Sequence, residues 1–348
     1  MPVPYFHVVY TLPSQLRYIA YQNKRVVYDI LMRAAADTTL AIAADPKRLG
    51  AKIGITSVLH TWGSALTHHP HVHMIVPGGG ISLEAAPDAG GHPKAHQERW
   101  IASRGNFLVH VDVLSKMFRG KFLAMLREAH ADGKMQFFNS HAGLADARVF
   151  KRVIGPLHRL KWVVYCKPPF AGPEQVLRYL SRYTHRVAIS NRRLIAADDG
   201  GISFRWKDYR VVPKARDQGE SAIRWKTMTL HPHEFIRRFL VHVLPKGLQR
   251  IRHAACPGQV GSPTRAGGLF ANGNRKANIA RARELLGVPA PEAPLETPPA
   301  SEPDHPSALP CPCPRCGGRM IVIEIFERGS MPRHRASPVV AVIRIDTS

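Results

Sequence analysis

The sequence predicts a mixed α+β fold, on three observations. Short segments rich in β-branched and aromatic residues alternate between polar and apolar positions, as strands do. Longer segments carry apolar residues at helical spacing. Two of the strand-like segments are separated by a short polar turn, which predicts an antiparallel hairpin. With 348 residues, of which 45% are hydrophobic, the chain can bury the core of one large domain or of two ordinary ones.

Strands are predicted where β-rich alternation is bounded by proline, glycine or polar turn residues. They fall at residues 5–12, 53–62, 72–76, 135–138, 162–166, 186–190, 202–206 and 224–230. The segments at 53–62 and 72–76 form the expected hairpin. The Pro-Gly-Gly-Gly run at 77–80 is expected to end the second of these strands sharply.

Helices are predicted where apolar residues recur every three or four positions. They fall at residues 15–44, 111–131, 147–160, 231–244 and 277–287. A further helix is expected to begin at Pro173, because proline is favoured in the first helical turn. Glu174 and Gln175 follow it and complement the positive end of the helix dipole.

Composition divides the chain into four parts. The predicted parts are a main domain at 1–253, a Gly-rich insertion with a basic helix at 254–288, a linker at 289–310 and a cysteine-bearing tail at 311–348. The linker holds eight prolines and few apolar residues, the composition of an extended spacer. Residues 84–98 are predicted to be a loop within the main domain.

The charge of the chain points to a polyanionic partner. It has 49 Lys and Arg against 25 Asp and Glu, a net charge of +24, and nucleic acid is the most common partner of such a protein. No apolar run approaches the roughly 20 residues that span a bilayer, and Met1-Pro2-Val3-Pro4 does not begin a signal peptide. We therefore expect a cytoplasmic protein without a membrane partner, whose five cysteines are thiols or metal ligands.

A histidine pair on the second hairpin strand suggests a metal site. Residues one pleat apart point to the same side of a strand, so His71 and His73 share a face while Val72 enters the core. His60, on the preceding strand, is expected to come level with them and to be a third ligand. His69 is a rival third ligand, but Pro70 disturbs the strand beside it. Three imidazoles suit Mn²⁺, Co²⁺, Ni²⁺ or Zn²⁺, and Mg²⁺ if phosphate oxygens complete the shell.

Two tyrosines lie four residues apart on the helix predicted after Pro173. Tyr179 and Tyr183 would share one helix face. Aromatic residues at this spacing commonly face a core, but Arg182 and Arg186 beside them would be awkward next to dry packing. A phenol can attack a phosphodiester that a metal ion polarises. The two arginines are candidates for phosphate contacts.

Cations and aromatic rings alternate in the segments FRWKDYR and RWK. Bases stack on rings and phosphates pair with Arg or Lys in grooves that bind single strands. The candidate DNA-binding residues here are Arg205, Trp206, Lys207, Arg210 and Lys226. Solvated charges on a sheet edge are the alternative interpretation.

The tail contains the motif CPCPRCGG, which has the shape of half a zinc knuckle. Cys311, Cys313 and Cys316 are candidate zinc ligands. A complete structural zinc site needs four ligands, so either His305 contributes or the motif is an orphan half.

The chain resembles the HUH two-tyrosine transposases of bacterial insertion sequences, which move by rolling-circle transfer of a single strand. The resemblance is carried by HPHVHMIVPGGG, by YLSRYTHRVAISNRRL, and by PYFHVVYTLP, VLHTWG, FRWKDYR, KTMTL and EFIRRFLVHVLP. It runs from about residue 2 to 253 and resumes at 269–287. It implies an HUH-nuclease-like antiparallel sheet flanked by helices, with the histidine strand central.

The resemblance also implies roles for the residues already singled out. His71 and His73 would hold a divalent metal, Mg²⁺ or Mn²⁺, with His60 assigned by analogy with related relaxases, and Tyr179 and Tyr183 would attack DNA in turn. The family usually begins with a cysteine-rich zinc domain, whereas this chain begins where that domain would end. Residues 254–268 look inserted and 84–98 look longer than the family turn.

The leading hypothesis is therefore a transposase that nicks and rejoins single-stranded DNA through a 5′-phosphotyrosine, without a small-molecule cofactor. One alternative is a plasmid-type replication-initiator nickase with the same chemistry. A second is a truncated, catalytically idle DNA-binding remnant, and a third is an unrelated metal hydrolase. The oligomeric state is left open by the sequence.

Overall fold

Three antiparallel sheets organise the protein in a computed structural model, which describes residues 1–83, 98–103, 110–170, 188–208, 224–253, 269–270 and 274–289. The strands are β1 (Tyr5–Thr11), β2 (Ala51–Lys52), β3 (Thr56–Trp62), β4 (His68–Pro77), β5 (Gly79–Ser82), β6 (Trp100–Ala102), β7 (Val164–Phe170), β8 (Leu194–Asp198), β9 (Gly201–Asp208), β10 (Arg224–Leu230) and β11 (Ile251–His253). The helices are α1 (Arg17–Gln22), α2 (Lys24–Ala44), α3 (Val111–Ala131), α4 (Ala147–Ile154), α5 (Pro232–Leu240) and α6 (Arg275–Leu285).

The largest sheet has the strand order β11-β3-β4-β1-β7, which puts the histidine strand β4 in the middle. Its neighbours β3 and β1 both run antiparallel to it. The two smaller sheets have the orders β10-β9-β8 and β2-β5-β6. The expected α+β class, with antiparallel sheets and helices beside them, is therefore confirmed.

One face of the large sheet makes the main core. Side chains at alternate positions of β1 and β4, such as Val8, Tyr10 and Val72, are fully buried together with residues of α2 and α3 such as Leu31 and Phe118. Burial of each such side chain contributes about 1.5–3 kcal/mol. Because strand side chains alternate in direction, this packing turns the intervening residues of β1 and β4 to the other face.

The predicted hairpin is present, with one irregularity. His60 pairs with His71, but Trp62 pairs with His68, so β4 carries one residue more than β3 in between. Pro70 falls within this bulge, where a missing N–H costs no ladder hydrogen bond, and its carbonyl accepts from the N–H of Leu12 at 3.1 Å. The strand therefore continues through the proline.

At the Pro-Gly-Gly-Gly run the chain leaves the large sheet and enters the β2-β5-β6 sheet, so the backbone stays extended. The N–H of Gly78 donates to the carbonyl of Pro4 at 2.7 Å, and β5 begins at once with Gly79 and joins a different sheet. Gly79 has φ of +152° and lies under the Trp100 ring. Neither β5 nor β6 was expected from the sequence.

The predicted strand at 135–138 is wrong. The side-chain amide of Asn23, at the junction between α1 and α2, donates to the carbonyl of Gln136 at 2.8 Å and accepts from its N–H at 2.7 Å. The N–H of Phe138 donates to the Gln22 side chain. Because these side chains satisfy the backbone, the segment needs no strand partner. The same junction divides the single helix predicted at 15–44.

Several predicted boundaries also shift. The helix predicted at 147–160 ends at Ile154 and continues as a 3-10 turn over Gly155–His158, and the helix predicted at 231–244 ends at Leu240. The strand predicted at 162–166 is β7 and extends to Phe170. The predicted strand at 186–190 is not found over 188–190, the part that the structure describes, and β8 follows instead.

The remaining predicted parts lie largely outside the described residues. They are the loop at 84–98 (98 excepted), the Gly-rich insertion at 254–268, the linker from 290 onward, and the tail. Within the described ranges, no helix combines the length and the apolar character needed to cross a bilayer.

Two glycine substitutions test the tight fit of β5. A Cβ on Gly80 would lie 2.8 Å from the carbonyl carbon of Lys52 and closer still to its oxygen, whereas a Cβ on Gly120, inside α3, would meet nothing within 4 Å. Gly80→Ala should lower the free energy of unfolding by about 1–3 kcal/mol through this clash. Gly120→Ala, its matched control, should raise it by about 0.5–1 kcal/mol. Urea unfolding measures both; equal effects of the two changes would contradict the tight approach of β5 to β2.

A three-histidine cluster as the candidate metal centre

Strand pairing brings three imidazoles together. His60 on β3 lies directly opposite His71 on β4, and His73 follows one pleat further along β4. Since paired residues point to the same side of a sheet, the three rings share the face that is turned away from the main core. One ring nitrogen from each of the three lies within 4.8 Å of the others.

The rings are in mutual contact. The His60 centroid lies 4.4 Å from that of His73 and 5.5 Å from that of His71, and the His71 and His73 centroids are 4.9 Å apart. His60 is 3% exposed, while His71 and His73 are partly exposed. The cluster is therefore rooted in the sheet and open on one side.

The hydrogen bond of His71 fixes its tautomer. Its Nδ1 lies 2.6 Å from the carbonyl oxygen of His69, and because a carbonyl only accepts, Nδ1 carries the proton. Nε2 then keeps its lone pair, the form that binds metals. Burial lowers the pKa of His71 to about 4, so the ring is neutral at pH 7.

The structure brings His60, rather than the rival His69, together with His71 and His73. The ring centroid of His69 lies 5.4 Å from that of His71. His69 contributes its main-chain carbonyl, which accepts the hydrogen bond from Nδ1 of His71. The bulge at residues 69–70 explains this outcome, because it takes His69 out of regular register with β3.

His7 was missed by the sequence analysis. It lies on β1, where it pairs with Ile75, so it is diagonal to His73 across the two strands. Its Nε2 lies 2.8 Å from Nδ1 of His73, and the residue is 3% exposed. The available signal was its position on the open face of an alternating strand, but the pairing of β1 with β4 was not predicted.

The ring of Trp62 packs against His60 at the edge of the cluster. The Trp62 ring stacks on His60 with centroids 4.8 Å apart, and the Arg250 guanidinium lies 5.0 Å from the centre of Trp62. Burial lowers the pKa of Arg250, which nevertheless stays a cation at neutral pH. This places a fixed positive charge one ring away from His60.

These observations fit a divalent metal. Three imidazoles, of which His71 is neutral with its tautomer fixed for coordination, are a donor set used by Mn²⁺, Co²⁺, Ni²⁺ and Zn²⁺. Among the described residues, no other group of three potential ligands comes this close together. Three protein ligands also leave coordination positions for an oxygen donor from a substrate.

A second pair of histidines, His68 and His242, lies at the end of the hairpin, with ring centroids 6.4 Å apart. Nε2 of His68 lies 2.7 Å from the hydroxyl of Tyr28, and His242 bonds to Thr61 and to the carbonyl of Leu66. Desolvation lowers the pKa of each ring to about 4. This pair belongs to the packing between the sheet and the helices.

The β8–β10 sheet lies against the turn that joins β3 to β4. Leu66 of that turn is buried with Phe204 of β9, and Trp62 and Trp206 pack against the same cluster. The Ser64 hydroxyl donates to the carbonyl of Lys207 at 2.5 Å. Because Trp62 contacts both His60 and this cluster, the small sheet adjoins the histidine end of the large one.

The candidate DNA-binding residues of this sheet divide between its two faces. Arg205 and Lys207 share one face with Trp225, which pairs with Lys207 across the strands; Trp225 is 50% exposed, and Nζ of Lys207 lies 5.0 Å from its ring centre. Trp206 and Lys226 occupy the other face, beside α5. The sequence analysis did not single out Trp225.

Lys226 has a structural partner. Its Nζ lies 2.5 Å from a carboxylate oxygen of Asp208, whose side chain is 5% exposed. A buried carboxylate requires such a cation, so any contact of Lys226 with DNA competes with this ion pair.

The other predicted site residues lie outside the described part of the chain. They are Tyr179, Arg182, Tyr183, Arg186, Arg210, Cys311, Cys313 and Cys316.

Comparison with known proteins identifies the class. The family described as "Putative transposase" matches residues 54–256, which include His60, His71, His73 and the whole β8–β10 sheet. The chain belongs to this family of transposases. The resemblance to insertion-sequence transposases inferred from the sequence is thereby confirmed. No solved structure matches the chain significantly.

Two curated relatives are similar to the chain over most of its length. "Putative transposase y4qJ" of Sinorhizobium fredii (strain NBRC 101917 / NGR234) is 48% identical over 329 residues, which cover 93% of this chain and 74% of the relative. "Transposase for insertion sequence element IS801" of Pseudomonas savastanoi pv. phaseolicola is 26% identical over 252 residues, 72% of this chain and 53% of that protein. The chain thus spans about half the length of the second relative.

The pKa values of the buried His68 and His242 predict a stability that falls in mild acid. The unfolded histidines titrate near pH 6.5 and the folded ones near 4, so between these values the unfolded state binds more protons. Their contribution is complete above pH 6.5 and is lost as the pH falls. Each ring should account for about 2 kcal/mol of lost stability between pH 7 and pH 5.

Urea unfolding of the metal-free protein at pH 7.5 and pH 5 checks this. His242→Gln should reduce the pH-dependent loss, whereas His233→Gln, a change at an exposed position on α5, should leave it as it is. An identical loss in the wild type and in His242→Gln would contradict the expectation.

Proposed function

We propose that this chain is a transposase that nicks and rejoins single-stranded DNA through a tyrosine nucleophile, assisted by a divalent metal held by His60, His71 and His73. The observation that carries the proposal is the convergence of these three imidazoles on the open face of the large sheet. Membership of a transposase family supports DNA as the substrate. The relative named as the transposase for the insertion sequence element IS801 supports movement of an insertion sequence as the reaction.

The protein groups at the cluster have distinct tasks. A bound metal ion would act as a Lewis acid toward the non-bridging oxygens of a phosphodiester. His71 offers Nε2 for coordination, since its Nδ1–H is held by the His69 carbonyl. The partial exposure of His71 and His73 leaves room for a phosphate on the open side.

Tyr179 and Tyr183 are the proposed nucleophiles. The phenolic oxygen of one tyrosine forms a bond to phosphorus while the bond from phosphorus to the 3′ oxygen breaks. The phenol loses its proton and the leaving 3′ oxygen gains one, which leaves a 5′-phosphotyrosine and a free 3′-hydroxyl. Because the phosphotyrosine keeps the energy of the phosphodiester, the reverse reaction at a new site needs no ATP. Two tyrosines permit two such steps in succession.

The connectivity of the described residues is compatible with this role. Phe170, which precedes the tyrosines in sequence, pairs with Tyr5 at one end of β1. Ala188, which follows them, packs with Leu66 at the other end of the sheet, beside the histidine cluster. The described residues on either side of the tyrosine segment thus lie at opposite ends of the sheet that carries the cluster.

The exposed face of the small sheet is the proposed site for single-stranded DNA. A base can stack on the half-exposed ring of Trp225, while Arg205 and Lys207 meet the phosphates on either side. Since this sheet adjoins the histidine end of the large sheet through Trp62 and Leu66, a strand bound there would lead toward the metal centre.

Substitution of Trp225 tests this surface. Trp225→Ala should weaken binding of a short single-stranded oligonucleotide by about 1–3 kcal/mol, because it removes one stacking platform. Ile195→Ala is the matched control, since Ile195 of β8 is exposed to a similar degree, 52%, but offers no ring. Fluorescence anisotropy measures both affinities. An equal loss in the two variants would argue against stacking on Trp225.

Covalent capture of DNA tests the chemistry. The full chain is incubated with Mn²⁺ and 5′-fluorescent or 3′-fluorescent single-stranded DNA that spans the ends of its element, and the products are separated on a denaturing gel. The 3′ label should move with the protein, because the downstream fragment carries the 5′-phosphotyrosine. EDTA, His71→Ala and the double change Tyr179→Phe/Tyr183→Phe should each abolish that band.

The control variant is Tyr18→Phe, at an exposed tyrosine on α1, which should keep full activity. Cleavage that survives the double tyrosine change would point to a metal hydrolase that activates water. Binding without any covalent band in the wild type would point to an idle DNA-binding remnant.

A further inference from the structure

We infer that His7 is a positioning residue of the metal centre: it accepts a hydrogen bond from Nδ1 of His73 and so keeps the lone pair of His73 Nε2 available to the ion. The inference rests on the proposed metal binding and goes beyond it, because it names the group that fixes the second strand ligand. His7 itself is not among the three residues whose nitrogens converge.

The geometry between the two rings is that of a directed hydrogen bond. Nε2 of His7 and Nδ1 of His73 are 2.8 Å apart, and the ring planes are parallel to within 3° with centroids 5.0 Å apart. A separation of 2.8 Å between two nitrogens requires one proton between them. Either ring can donate that proton, so there are two arrangements.

The two arrangements differ in what they leave for a metal. If His7 donates, His73 accepts at Nδ1 and must carry its own proton on Nε2, which blocks coordination. If His73 donates from Nδ1, its Nε2 is free. Since His7 occupies the Nδ1 side in either case, Nε2 is the nitrogen of His73 left for an ion. Metal binding requires the arrangement in which His7 accepts, and we infer that the protein holds this arrangement before the ion binds.

The partner of His73 is held in place by the sheet. His7 lies on β1, between β4 and β7, and is 3% exposed, so bulk water does not compete for its Nε2. At His71 the His69 carbonyl has the same task, because it accepts from Nδ1 at 2.6 Å. The two ligands of β4 are thus oriented alike, one by a backbone oxygen and one by the side chain of a neighbouring strand.

Loss of a hydrogen-bond partner of this type weakens metal binding by about 10–100-fold. His7→Leu removes the acceptor and should weaken binding of Co²⁺ by that factor. His7→Gln places an amide oxygen near the position of Nε2 and should restore most of the affinity. Val9→Leu changes the neighbouring residue on the same face of β1, opposite His73, without touching the hydrogen bond, and should bind as the wild type does.

The experiment titrates the metal-free full chain with Co²⁺ and follows the visible absorption of the bound ion, which reports both affinity and coordination geometry. Thermal unfolding without metal establishes that each variant is folded. In the metal-free wild type, long-range ¹H–¹⁵N spectra of the histidine rings should show His73 protonated on Nδ1, with the signal assigned by its loss in His73→Gln.

The outcomes distinguish the role of His7 from the existence of the metal centre. Equal Co²⁺ affinity and an equal spectrum in wild type and His7→Leu would overturn the role of His7 while leaving the metal centre intact. A folded His7→Gln that binds as weakly as His7→Leu would overturn it as well, since hydrogen-bond acceptance would not be what matters. A His73 proton found on Nε2 would do the same. A wild type that binds no Co²⁺ would instead overturn the proposed metal centre, and this inference with it.

Discussion

The rest of the site depends on the register between β3 and β4. Side chains alternate along both strands, so a slip of one residue would turn His71 and His73 into the core and Val72 out of it. The burial of Val72 and Met74 against the helices prevents such a slip, because it would expose two apolar side chains and bury unpaired imidazoles. The core thus determines where the three rings lie, although none of them belongs to it.

Burial has a second effect on His71, which is to keep its ring neutral. An imidazolium in a partly desolvated position loses hydration energy, and the lowered pKa of His71 expresses that loss. A neutral ring carries its proton on only one of its two nitrogens, and nearby hydrogen-bond partners determine which one. For the two β4 residues these partners are the carbonyl of His69 and the buried ring of His7.

The sequence predicts the parts of the site that local patterns determine. The alternation in 71–73 was enough to place two rings on one face, and the short connection of a hairpin was enough to bring His60 level with them. His7 was not predicted as part of the site because its partner His73 lies 66 residues away, and no local pattern specifies that β1 pairs with β4. Strands β5 and β6 escaped because they are short, and β5 begins with two glycines whose fit against Trp100 and Lys52 is tertiary.

The strand predicted at 135–138 is wrong because contacts with distant residues replace the strand pairing that the local pattern predicts. Its composition favours extended backbone, and the backbone is indeed satisfied, but by the side chains of Gln22 and Asn23 more than a hundred residues earlier. The small sheet illustrates the same limit. The sequence predicts Arg205, Trp206, Lys207 and Lys226 as DNA-binding candidates without assigning them to a face, whereas the packing of α5 on one side separates Trp206 and Lys226 from Arg205 and Lys207.

Within the described ranges, several side-chain hydrogen bonds that tie the small sheet and α5 to the hairpin turn end on main-chain carbonyls. Ser64 donates to the carbonyl of Lys207, Arg193 to those of Ser64 and Arg205, and Arg238 to that of Ala65. A carbonyl is present whatever side chain its residue carries. If this surface binds DNA as proposed, its outward side chains at 205 and 207 can differ between related elements, and the preferred DNA sequence with them, while these bonds hold the surface at the same distance from the histidines. Recognition could then change without disturbing the histidine cluster.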